Sequence, residues 1–103
     1  MTHPILIGGQ WRSANAAGKF RSENPETAEV LPGEFPISTW ADCDAALSAS
    51  AKVAPLLRRL SPEQIAHFLM RFAERIEARA AELVEAALLE TGLPKSPWLA
   101  DVV

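Results

Sequence analysis

A chain of 103 residues with 49 % apolar content forms one domain at most and buries only a modest core. Its formal net charge of −3 argues against a nucleic-acid or anionic-membrane partner, and one cysteine excludes an internal disulfide framework. The N-terminus Met1-Thr-His-Pro-Ile5 has neither a charged leader nor a long apolar run, and no apolar stretch approaches the length of a bilayer span, so a cytoplasmic protein is expected.

Residues 1–37 hold four of the five glycines and read as strands and turns. Ile5-Leu-Ile7 and Gln10-Trp-Arg12 flank Gly8-Gly9, a pair that tolerates the positive φ of a tight hairpin. Ser13 to Lys19 reads as a loop or wide turn and Lys19 to Glu23 as a further strand. Asn24-Pro-Glu-Thr27 is a turn signal, because an asparagine side chain closes an Asx-turn and proline fixes φ. Glu29-Val-Leu31 is a short strand candidate, and Pro32 and Pro36 confine the residues between them to an edge or a loop.

From Ser38 the apolar period becomes helical, and residues 38–94 form the helical region. Thr39-Trp-Ala-Asp42 reads as a capping box opening a helix that runs to about Val53, with Pro55 stopping or bending it. Ser61-Pro-Glu-Gln64 is a stronger start, with serine as N-cap, proline at the first helical position and glutamine closing the box. Ile65, Phe68, Leu69, Phe72, Ala73 and Ile76 then share one face, expected to be core. A second stripe, Ala80, Leu83, Val84, Ala87 and Leu88, is rotated from the first, which predicts two helices or one kinked near Arg79. Thr91-Gly92 followed by Pro94 is a stop signal.

These phrases in order resemble the opening of the aldehyde dehydrogenase superfamily. Ile5-Leu-Ile-Gly-Gly-Gln-Trp11 is similar to the family's first hairpin, and Asn24-Pro with Thr27 and Glu29-Val30 to its Asn-Pro-x-Thr-Gly-Glu-Val phrase. Ala28 stands where that phrase has glycine, so the turn must use a negative φ or tolerate strain. Asp42-x-Asp44-Ala-Ala46 resembles the first helix, and Glu90-Thr-Gly-Leu-Pro94 the common Glu-Thr-Gly-Lys-Pro. Leu93, Leu60-Ser-Pro-Glu63 and Gly33-Glu-Phe-Pro36 lean toward the α-ketoglutaric semialdehyde branch. Residues 95–103, with Pro97 unfavourable inside a helix, read as a divergent tail.

The resemblance implies an α+β fragment: a β-hairpin and strand region over 1–37, then about three helices. It also implies NAD or NADP as cofactor and oxidation of aldehydes to acids. The family's cysteine nucleophile, its water-activating glutamate, its oxyanion donors and its nucleotide-binding unit belong to later segments. None has a counterpart among these residues, so no catalytic, cofactor-binding or metal residue is assigned.

Cys43 lies between Asp42 and Asp44, an anionic setting that opposes a thiolate, and reads as structural or incidental. Gly8-Gly9 lacks the helix and lysine of a phosphate loop. His3 and His67 lack metal-ligand spacing, and Arg58-Arg59 reads as a helix-end or loop pair. Glu82, Glu85 and Glu90 read as a solvated face rather than paired carboxylates. By family position the carbonyls of Ser22 and Glu23 would face a monovalent cation. Trp11, Trp40 and Trp98 read as packing anchors.

The expected function is therefore that of an N-terminal piece of an aldehyde dehydrogenase, inactive alone, which self-associates or packs on further enzyme domains. Two other classes stay open: a stand-alone helical interaction module, and a regulatory partner of a full-length relative.

Overall fold

A computed structural model describes residues 1–99. Strands β1 (Ile5–Ile7), β2 (Gln10–Arg12), β3 (Ala16–Glu23) and β4 (Val30–Ser38) precede helices α1 (Trp40–Leu57), α2 (Pro62–Ala78) and α3 (Ala80–Thr91). The fold is α+β, with two two-stranded hairpins, β1–β2 and β3–β4. Two compact units divide the chain: residues 1–22 with 32–60, and residues 23–31 with 61–103. The strand-then-helix division of the sequence cuts across both. No helix among the described residues is long and apolar enough to cross a membrane.

In the first unit β1 and β2 pair antiparallel, Ile5 with Arg12, Leu6 with Trp11 and Ile7 with Gln10. Gly8 (φ 59) and Gly9 (φ 77) make the turn with two positive φ values, as a right-twisted two-residue hairpin requires. β1 packs on α1, where a Cβ at Gly8 would meet the Cβ of Ala49 at 3.9 Å. Alanines on α1 let the hairpin approach.

β3 begins at Ala16, not at Lys19 as the small, polar residues suggested. Its partner β4 runs past both prolines to Ser38. Strand geometry explains the tolerance. The carbonyl of Glu34 accepts the His3 N–H at 2.8 Å on the edge away from β3. Backbone groups alternate between edges, so the nitrogens of Pro32 and Pro36 lie on that same outer edge and β3 loses no donor. Only the bridge between Thr2 and Glu34 pairs there among the described residues.

Thr39 is the N-cap of α1, but its side chain makes no capping bond and Asp42 does not reach back. Pro55 lies inside α1 rather than ending it at Val53. A proline two residues before the helix end forfeits one hydrogen bond, and the neighbouring turn continues to Leu57.

In the second unit the Asn24 turn forms as expected, with the Glu26 N–H donating to Asn24 Oδ1 at 2.9 Å. Ala28 takes φ 59, so the turn keeps its left-handed residue without glycine. The capping box of α2 is complete: the Gln64 N–H donates to Ser61 Oγ at 3.2 Å and the Ser61 N–H to Gln64 Oε1 at 2.9 Å. Arg79 (φ −113, ψ 16) separates α2 from α3. Gly92 (φ 67) ends α3 against the Asn24 turn, where a Cβ would stand 3.3 Å from Pro25 Cγ and 3.4 Å from Glu26 Cβ. Lys95–Leu99 makes a further irregular turn with Ser96 extended, as the residue before a proline prefers. Residues 100–103, part of the tail expected to diverge, lie outside the described residues.

The α2 face expected to be core is exposed, while the α3 stripe is half-buried at Ala80, Val84, Ala87 and Leu88. Among the described residues Leu99, at 4 % exposure, is the one buried apolar side chain. Phe68, Leu69 and Phe72 stand open, as do Trp11, Trp40 and Trp98, whose rings the described residues leave mostly uncovered. Apolar periodicity states that a face should be covered; within these residues nothing large enough covers it.

Candidate functional site

Two buried carboxylates organise the first unit: Glu34, to which the sequence assigns no special role, and Asp42, which it places in a capping box. The first is Glu34 on β4. Lys19 and Arg21, two residues apart on β3, share a strand face and reach Glu34 Oε2 at 3.1 Å and 3.4 Å. The Thr2 hydroxyl donates to Oε1 at 2.7 Å. These partners hold the Glu34 carboxyl near pH 2 instead of 4.5, the Thr2 hydrogen bond contributing most, then that of Lys19. Desolvation opposes them, while the Lys19 charge and the Arg21 hydrogen bond add smaller lowering effects. A carboxylate with so little affinity for protons is a poor general base. Glu34 instead ties the N-terminal segment to the β3–β4 ribbon. His3 stacks on Phe35 (4.6 Å between ring centroids, 9° apart), which in turn stacks on Phe20 at 5.5 Å.

The second carboxylate is Asp42, whose side chain is 4 % exposed. It accepts the Asn15 N–H at 2.8 Å and Arg12 Nη2 at 3.2 Å. The Thr39 N–H returns a bond to the Asn15 carbonyl at 2.9 Å. This exchange fixes the 13–15 loop to the start of α1 and explains why Asp42 caps no helix. Thr39 Oγ1 is buried without a hydrogen-bond partner among the described residues.

Two concavities among the described residues lie in this unit. One, of about 570 Å³, is bordered by Thr2, His3, Ser13, Gly18, Lys19 and Pro36. The other, of about 300 Å³, lies between the β1–β2 turn and Ala46, Ala49 and Val53 of α1. Neither lining includes a thiol or a carboxylate; the larger one carries the Thr2 and Ser13 hydroxyls with His3 and Lys19, but the Thr2 hydroxyl is committed to Glu34 and Lys19 is ion-paired with the same carboxylate.

The residues weighed in the sequence fall apart in space. Cys43 is exposed in the first turn of α1. Gly8-Gly9 is a turn, with no helix N-terminus behind it. His3 belongs to the first unit and His67 to the second, and no trio of metal-capable side chains exists among the described residues. Arg58 and Arg59 are exposed just beyond α1, and Ser22 and Glu23 close β3. The acidic face of α3 is exposed but partly ion-paired: Glu82 meets Arg79 at 2.5 Å and Glu85 meets Lys95 at 2.6 Å. The Arg79 hydrogen bond and charge lower the Glu82 carboxyl below its ordinary range. Pairing of this kind opposes the shared proton that a catalytic carboxylate pair uses.

Comparison with known proteins gives the chain a family. A model of the aldehyde dehydrogenase family matches residues 11–103, including the tail beyond Pro94. Vanillin dehydrogenase of Pseudomonas fluorescens is 36 % identical over 84 residues, covering 82 % of this chain and 17 % of that protein. Fluoroacetaldehyde dehydrogenase of Streptantibioticus cattleyicolor is 38 % identical over 88 residues, covering 85 % of this chain and 17 % of that protein. Among solved structures, an aldehyde dehydrogenase from Bartonella henselae superposes with a TM-score of 0.88 at 21 % identity, over 97 % of this chain and 21 % of that one. The chain thus spans about 17 % of the length of these curated relatives, over their N-terminal part.

Proposed function

Because the chain belongs to the aldehyde dehydrogenase family, we propose that it serves as the N-terminal segment of an NAD(P)-dependent aldehyde dehydrogenase. Its role there is structural: it supplies packing surface and no reacting group. The observation that carries this reading is the mismatch between a well-formed fold and its uncovered apolar faces, with Phe68, Leu69 and Phe72 more than half exposed. Burying side chains of this size contributes roughly 1.5–3 kcal/mol each, so such faces belong against further protein. The larger enzyme would be cytoplasmic and oligomeric.

An oxo-acid semialdehyde is our narrower substrate reading, supported by Leu93, Leu60–Glu63 and Gly33–Pro36. Two measurements test the proposal. Purified 103-residue chain, given NAD or NADP and a panel of aldehydes, is expected to reduce no nicotinamide. Aldehyde-dependent reduction would overturn the structural role. The gene beyond codon 103 is expected to encode a glycine-rich strand–helix unit and a reactive cysteine segment. A second reading, a stand-alone interaction module, is favoured by the same exposed α2 face if the downstream gene is unrelated.

A further inference from the structure

The α2 stripe follows a seven-residue repeat: Ile65, Leu69, Phe72 and Ile76 alternate steps of four and three. Ile65, Phe68, Leu69 and Phe72 are 43 %, 64 %, 57 % and 57 % exposed, and Ile76 is half-buried. On a helix of 3.6 residues per turn the two flanks of this stripe differ. Phe68, Arg71 and Arg75 run along one flank, whereas Ala66, Ala73, Glu63 and Glu77 run along the other.

We propose that in the 103-residue chain this face is covered by the same face of a second copy, parallel and in register. In a parallel two-fold pair each flank meets the opposite flank of the partner. Phe68 then lies over the partner's Ala73, large against small, and the arginines approach an acidic flank. An antiparallel pair brings each flank against itself: arginine meets arginine, and alanine faces alanine across a gap. Shape and charge therefore select the same orientation. Five apolar side chains of this exposure remove on the order of 500 Å² per copy, about 1,000 Å² in all, the lower bound for a specific interface. The pair is accordingly weak, with a dissociation constant in the micromolar range. The inference concerns the chain by itself and does not rest on its role in a longer enzyme.

Sedimentation across a dilution series from submillimolar to nanomolar protein is expected to show a reversible monomer–dimer equilibrium. Ala73→Arg places a long side chain where the partner's Phe68 would sit. Ala73 is exposed and arginine is a good helix former, so the helical circular dichroism should survive while the dissociation constant rises at least about tenfold. Orientation is read by cross-linking in a Cys43→Ser background. Ile76→Cys alone should form a disulfide dimer under mild oxidation, and a mixture of Ile65→Cys and Ile76→Cys should form no 65–76 cross-link. A monomer at submillimolar concentration, larger assemblies, a 65–76 cross-link or an Ala73→Arg chain that still pairs would each overturn the proposal.

Discussion

Ala28 shows how one residue carries strain in a fold that otherwise follows its local signals. Its φ of 59° costs an L-residue about 1 kcal/mol, and the Ala28 N–H still donates to the Asn24 carbonyl at 2.8 Å. Ala28→Gly is therefore expected to stabilise the second unit by roughly 0.5–1 kcal/mol, the relief of strain exceeding the entropy that glycine loses. A thermal melt reads it, and an unchanged or lower midpoint would mean the turn bears no strain. Glu34 gives a pH prediction. Its folded-state pKa of about 2 lies below the ordinary 4.5, so its stabilising contribution is complete above 4.5 and fades as pH falls from there toward 2. Glu34→Gln should flatten this acid limb of a stability-against-pH curve. A variant with the same acid limb would place the acid sensitivity elsewhere. The strain at Ala28 is one of two outcomes open in the sequence, whereas the role of Glu34 cannot be ranked there. Glu34 looks like any glutamate between two prolines until β3 brings Lys19 and Arg21 beside it.

At the scale of elements, local chemistry was legible wherever the partner lay within a turn of helix or hairpin. The Gly8-Gly9 turn, the Ser61–Gln64 box and the Gly92 stop are short-range and formed as read. Ser61→Ala is expected to cost about 1 kcal/mol, because it removes the acceptor for the Gln64 N–H. Circular dichroism with a urea titration checks it; a loss near zero would show that the box adds nothing beyond the proline start. The misread elements had distant partners. Thr39 and Asp42 have capping-box spacing, but Arg12 and Asn15, some thirty residues away, claim the carboxylate with better burial. Ala16–Gly18 carry weak strand propensity and become strand because β4 supplies a ladder.

For the molecule as a whole, the period of α2 told which residues share a face and left open what covers it. With 8212 Å² accessible, against roughly 5,700 Å² for a folded monomer of this mass, the chain covers less surface on folding than most domains of its size. At concentrations where it is monomeric, its urea m-value is expected at about 1 kcal/mol/M, the low end of the range for small domains. A steep cooperative transition would reveal burial that these faces do not show. The contact at the end of α3 reaches beyond stability. Gly92 and Pro25 stand so close that a Cβ on the former would press on the ring of the latter at 3.3 Å. Two phrases that look independent when written out, Asn24-Pro25 and Thr91-Gly92, are halves of one joint. Mutational drift should therefore treat them as a pair: a lineage that gains a side chain at position 92 can keep it only where position 25 or 26 has already made room.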